Sequence, residues 1–167
     1  MTDLKSDPTL ESMALDEEEM RQAIELMYFA YRGFTGEPDA ILAELGMGRA
    51  HHRVIYFVGR NPNVTVSALL AILRITKQSL ARVLSQLVSE GYVLQTPGPK
   101  DRRQRLLTLT EKGIVLERQL TARQSRLLAR AFAGAGRAGI EGFRRVLGEL
   151  VAERDRRHIA KVNGRNT

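Results

Sequence analysis

Residues 65–113 read TVSALLAILRITKQSLARVLSQLVSEGYVLQTPGPKDRRQRLLTLTEKG, and the order of local signals in them decides the fold. Thr65 is placed to cap a short helix through Leu73, and Thr76 a longer one through Glu90, because a threonine hydroxyl ahead of an apolar-periodic run can accept an orphan amide of the first turn. Only Arg74 and Ile75 separate the two. Gly91 suits the left-handed position that ends many helices. Short helix, tight turn, longer helix is the spacing of a helix-turn-helix. Tyr92–Thr96 and Arg105–Leu109 follow, rich in Val, Leu, Tyr and Thr, around a loop containing Pro97, Gly98, Pro99 and residues 100–104. They predict a two-stranded hairpin with a basic tip.

Upstream, Met20, Ala23, Ile24, Met27, Tyr28 and Tyr31 recur at three and four residues and form one apolar helical face, with acidic side chains from Asp16 to Glu19 complementing the helix dipole. Gly33, Gly36 and Pro38 are expected to end that helix. A second helix, from about Arg49 to Gly59, is apolar on every side between Val54 and Val58, which predicts burial. Downstream, Thr110 can cap a long helix from Glu111 to about Phe132, and the glycine-rich stretch 134–139 interrupts it. A last helix carries Ile140, Phe143, Val146, Leu147, Leu150 and Val151 on one stripe. The fold class is therefore mainly α with a small β-wing. The organisation read from it is a flexible arm at 1–14, an N-terminal helix and linker at 15–48, a winged helix-turn-helix at 49–110, C-terminal helices at 111–160 and a tail at 161–167.

A chain of 167 residues with 43% hydrophobic and 27% charged side chains has the composition of a globular protein with a core of its own. Its longest apolar run, Ala68 to Leu73, is far below the ~20 residues needed to cross a bilayer. No secretory signal is visible, so a cytoplasmic location is expected. The absence of cysteine excludes disulfides, thiolate nucleophiles and cysteine-ligated zinc. Charge is unevenly placed: residues 1–48 carry three basic and eleven acidic side chains, whereas residues 49–112 carry eleven basic and three acidic. A basic body after an acidic start points to a polyanionic partner, most often nucleic acid.

The longer helix of the pair shows how that partner would be read. With Leu80, Leu84, Leu87 and Val88 committed to packing, Lys77, Gln78, Arg82, Ser85 and Gln86 are left on a face without acidic residues. Arg and Gln are the side chains that bond guanine and adenine edges in the major groove. Gln78 and Arg82 are one turn apart, Ser79 lies near the helix start, and Thr76 and Lys77 suit backbone phosphate. On the hairpin, Lys100, Asp101, Arg102, Arg103 and Arg105 form a wing able to reach an adjacent minor groove, with Asp101 expected to hold a neighbouring guanidinium in a bidentate pair. Two copies on one rigid body would double the phosphate contacts and read a two-fold site, and the stripe from Ile140 to Val151 offers a face for joining them.

The run from Leu69 to Gly113, and within it Gly91-Tyr92-Val93, Asp101-Arg102-Arg103 and Leu109-Thr110-Glu111-Lys112-Gly113, resembles the multiple antibiotic resistance regulator (MarR) family of winged helix-turn-helix proteins. The resemblance extends over about residues 18–158. It implies a homodimer whose terminal helices interlock, bound to double-stranded DNA at a pseudo-palindromic operator. Arg103 then matches the family's minor-groove arginine, Asp101 its orienting acid, and Gln78, Ser79 and Arg82 lie at base-contacting positions. It also implies a crevice for a small aromatic or phenolic effector, with Tyr28, Tyr31, His51, His52 and Arg53 as candidate contacts.

No catalytic, phosphate-loop or dinucleotide motif is present, and adjacent His51 and His52 diverge by about 100° on a helix. Neither an enzyme nor a cofactor or metal site is expected. The sequence reading is a DNA-binding transcriptional regulator, a repressor released by a small ligand. The rivals are an architectural DNA-binding protein of low sequence specificity and a small-molecule binding or enzymatic protein whose winged domain serves protein contacts.

Overall fold

The computed structural model describes residues 16–159. The arm at 1–14 and the tail at 161–167 lie outside the described residues. The chain separates into two compact units, residues 1–37 and 38–167. Helix α1 (Glu17–Glu44) opens with Glu17, Glu18 and Glu19 in its first turn. Asp16 and Glu19 bond each other's backbone amides at 2.8 and 2.9 Å, a reciprocal cap that satisfies two orphan donors.

The expected stop at Gly33 to Pro38 does not occur, because α1 runs on through Pro38. Pro38 is itself fully buried, and Leu42, one turn later, is completely enclosed by the second unit's core. Proline removes one helical hydrogen bond, and the burial of Pro38, Ile41 and Leu42 outweighs that loss.

Helix α2 (Arg49–Arg60), strand β1 (Val64–Thr65), helix α3 (Val66–Leu73), helix α4 (Lys77–Ser89), strands β2 (Val93–Pro97) and β3 (Arg105–Leu109), helix α5 (Glu111–Leu150) and helix α6 (Glu153–Arg156) complete the second unit. Three threonines start three helices by one device. Thr65, Thr76 and Thr110 each accept the backbone N–H three residues on, at 3.1 Å in every case. Between α3 and α4 the chain turns on Arg74, which adopts the left-handed conformation at φ 53°. Gly91, also left-handed at φ 77°, closes α4 and starts the wing.

The sheet is antiparallel, in the order β1-β3-β2. Val93 pairs with Leu109 and Pro97 with Arg105, while Val64 pairs with Leu107. Strand β1 was not expected, since two residues are too short to show alternation. Its role is to tie the entrance of α3 to the base of the wing.

The core gathers Leu42, Val54, Ile55, Val58, Leu69, Leu80, Val83, Leu84, Leu87, Tyr92, Val93, Leu107, Leu116 and Leu120. Val88, expected inside, is 37% exposed, and Val83 takes the inner position. The long α5 is interrupted at Gly136, whose φ of 69° and ψ of −177° are not helical, within the glycine-rich stretch that predicted a break. Among the described residues no helix is long and apolar enough to cross a membrane.

Candidate nucleic-acid interface

Helix α4 is fixed from below and at both ends, which leaves its outer face free. Leu80, Val83, Leu84 and Leu87 are buried, and the helix packs on α2 and β2. Thr76 caps its start through the Ser79 amide and donates its hydroxyl to Ser79 Oγ at 2.8 Å. At the other end the Lys112 ammonium sits 2.8 Å from the Glu90 carbonyl and 4.1 Å from the centre of the Tyr92 ring. A cation there both satisfies a terminal carbonyl and complements the helix dipole.

Lys77, Gln78, Ser79, Arg82 and Ser85 are exposed. Among the described residues the side chains of Lys77, Gln78 and Arg82 make no hydrogen bond or ion pair. Long polar side chains left uncommitted on a rigid helix keep their donors for a ligand, at the cost of ordering them on binding. Gln86 differs from these. It is half-buried, accepts from His51 Nε2 at 2.8 Å and donates to Glu90 Oε1 at 2.9 Å, so it belongs to the inner side of α4.

The wing is ordered by its own backbone. Gly98 N–H donates to the Gln104 carbonyl at 2.9 Å and Gln104 N–H to the Asp101 carbonyl at 3.1 Å. Asp101 Oδ1 accepts the backbone N–H of Arg103 at 2.9 Å. This differs from the expected grip on a guanidinium: the acid sets Arg103 through its main chain, as aspartates do in tight turns. Lys100, Arg102, Arg103 and Arg105 are all exposed. Glycine is required at 98, where a Cβ would lie 2.8 Å from the Asp101 carbonyl oxygen.

Wing and helix are neighbours. A groove of about 520 Å³ runs between Ala81, Leu84, Ser85, Val88 and Ser89 of α4 and Gln95 of β2. A second hollow of about 440 Å³ lies between the start of α3, at Val66 and Ser67, and Asp101, Arg103 and Arg105 of the wing. The two hollows share Val66 and Gln95, so the flank of α4 at Ser85 and Ser89 and the wing at Arg103 and Arg105 open on adjoining surface.

The remaining candidates sit elsewhere. Tyr28 and Tyr31 are 62% and 46% exposed on α1, and Tyr28 packs edge-on against Phe29. On α2, His51 is committed to Gln86. Burial holds His52 below the ordinary imidazole value of 6.5, against the opposing pull of Asp39 and Glu117. Arg53 is exposed. Among the described residues no group of three or more His, Asp or Glu is placed to hold a metal.

A capped helix pair, a three-stranded wing and long flanking helices define a winged helix-turn-helix protein. Solved structures share this fold. FabT from Streptococcus pneumoniae, in complex with DNA, matches with a TM-score of 0.71 at 20% identity, over 78% of this chain and 94% of that one. A mutant MarR from E. coli, complexed with operator DNA, matches with 0.62 at 21% identity, over 83% and 100%. The sequence carries the family more specifically. A profile described as MarR family matches residues 45–104. The HTH-type transcriptional regulator PetP of Rhodobacter capsulatus is 48% identical over 144 residues, 86% of this chain and 87% of that protein. The chain belongs to the MarR family of transcriptional regulators.

Proposed function

We propose that the protein binds a pseudo-palindromic DNA operator as a homodimer and represses transcription there until a small aromatic or phenolic ligand releases it. The observation that carries the DNA reading is that Lys77, Gln78 and Arg82 stand exposed and uncommitted on α4 while Lys100, Arg102, Arg103 and Arg105 stand exposed on a backbone-ordered wing. Helix α4 has the width that fits a major groove. Gln78, Ser79 and Arg82 contact base edges, Thr76 and Lys77 the phosphates, and Arg103 the flanking minor groove, where a narrow groove concentrates negative potential. Asp101 keeps the Arg103 backbone in place for that insertion. The DNA complexes of FabT and of the E. coli protein, with the same fold, are consistent with this assignment.

The dimer is supported by apolar side chains that the single chain leaves in water. On α1 these are Ile24, Met27, Tyr28 and Tyr31, and on the last part of α5 they are Phe143, Val146 and Leu150, the latter two more than 60% exposed. Large contiguous apolar faces of this kind mark association surfaces. Release by a ligand requires only that it prefer the protein conformation whose two recognition helices are wrongly spaced for the operator.

Selection of bound fragments from the source genome by the purified protein tests the reading, followed by competition with random-sequence DNA at fixed salt. Recovery of a two-fold sequence bound about a thousandfold or more above random DNA is the expected result. A ratio near one would establish the architectural alternative instead.

A further inference from the structure

The hydrogen bonds of His51 connect the start of α2 to the flank of α4, at Gln86, about 40° round the helix from Arg82. Its Nδ1 lies 3.2 Å from the Gly48 N–H, a donor, so Nδ1 is the acceptor and the proton of the neutral ring is on Nε2. That Nε2–H donates to Gln86 Oε1 at 2.8 Å. The Gln86 amide nitrogen in turn donates to Glu90 Oε1 at 2.9 Å and faces the Gly46 carbonyl at 3.4 Å. Every polar atom of the two side chains is thereby directed, and the bonds tie the connection before α2, at Gly46 and Gly48, to α4 and to Glu90 at its C-cap.

The rest of the contact beneath α4 is apolar: Leu80, Val83, Leu84 and Leu87. Apolar burial is non-directional, so it fixes how deep α4 sits and only loosely how it is rotated about its axis. Hydrogen bonds weaken steeply with angle. Gln86 lies one turn from Arg82 and two from Gln78, so a rotation of α4 that swings the groove-facing residues also breaks the His51 bond.

We infer that His51 and Gln86 are a positioning pair: the imidazole holds the rotation of α4 and so sets where Gln78 and Arg82 meet the bases. The inference rests on the DNA-binding reading above. It assigns Gln86 a role without base contact, and gives His51 a role separate from effector binding.

Two measurements on the full chain test it. Nitrogen-15 NMR of the imidazole rings should show the His51 ring proton on Nε2; a proton on Nδ1 would overturn the bridge itself. Affinities are then measured at one salt concentration for the fragment that the wild type selects and for a random duplex of equal length. His51→Ala and Gln86→Leu should each weaken the selected fragment about five- to tenfold and leave random DNA unchanged. The double variant should be no worse than either single one, and His51→Gln, which keeps an acceptor and a donor without the ring, should recover most of the loss. Equal losses on both duplexes, additive losses or failure of His51→Gln to recover would assign the pair to general stability and overturn the inference. Should the wild type select no fragment, the DNA reading falls and the positioning role with it, while NMR still reports the bridge.

Discussion

Replacing Gly113 by alanine puts one carbon where the fold has no room for it. The new Cβ would press into the Tyr92 carbonyl oxygen and lie 3.3 Å from Leu109 Cβ. That carbonyl is not free to retreat, because it accepts the Thr110 N–H at 3.1 Å and lies 3.3 Å from the Thr110 hydroxyl. Moving it would also disturb the cap by which Thr110 Oγ1 accepts the Gly113 N–H. Overpacking costs ~1–3 kcal/mol and each weakened hydrogen bond ~1 kcal/mol, while alanine returns ~1 kcal/mol of helix propensity. With two bonds weakened, the net expectation is a destabilisation of about 2–4 kcal/mol. Gly36→Ala, in α1 with nothing within 4 Å of the added carbon, provides the contrast. There the same change should be neutral or stabilise by up to ~1 kcal/mol. Urea unfolding monitored by circular dichroism at fixed protein concentration measures both. An equal response at the two glycines would refute the claim that α5 is docked on the wing base by backbone proximity.

Other perturbations separate the remaining parts of the account. Thr76→Ala should cost ~1 kcal/mol of stability by removing the cap of α4, read as a lower urea midpoint with unchanged slope. Burial keeps His52 below its ordinary value of 6.5, so its contribution to stability is full above that value and is lost as pH falls toward the depressed one. The thermal midpoint should therefore drop on acidification through this range, and His52→Gln should drop less. Arg103→Ala should cost ~1–3 kcal/mol of affinity for the selected DNA, and Arg82→Ala should also relax base preference at one position per half-site. Lys77→Ala should weaken all DNAs alike and reduce the salt slope by about one.

What the sequence made legible was local. The threonine caps, the two-residue turn at Arg74 and Ile75, the left-handed Gly91 and the break at Gly136 are all set by residues within a turn of the feature they control. The misreadings share the opposite property. Gly33, Gly36 and Pro38 read as a stop because they are turn-forming residues, yet the following Ile41 and Leu42 bury into a core assembled from residues far along the chain. Strand β1 exists only through its pairing with Leu106 and Leu107. A signal for the longer α1 was available in the three- and four-residue spacing that continues from Phe34 through Pro38, Ile41, Leu42 and Leu45.

The candidate interface divides in the same way. Lys77, Gln78 and Arg82 are outward because their own helix periodicity puts them there. Gln86 shares the sequence pattern, but four-residue steps drift by about 40° per step on a helix, and after two steps from Gln78 it has turned far enough to meet His51. That meeting depends on a partner 35 residues away, which no periodicity reports. Asp101 reads from the sequence as the acid that orients a guanidinium, but its bond goes to an amide instead, a choice made by the turn geometry of residues 98–104.

Hydroxyl-radical footprinting of the purified protein on a fragment it selects tests the central claim most directly. Two protected half-sites related by a two-fold axis, with centres about one helical turn apart or a multiple of it and protected minor grooves flanking them, are the predicted pattern. Arg103→Ala should erase the flanking protection while leaving that at the centres. A single continuous footprint without two-fold symmetry, or flanks unchanged by Arg103→Ala, would contradict the account.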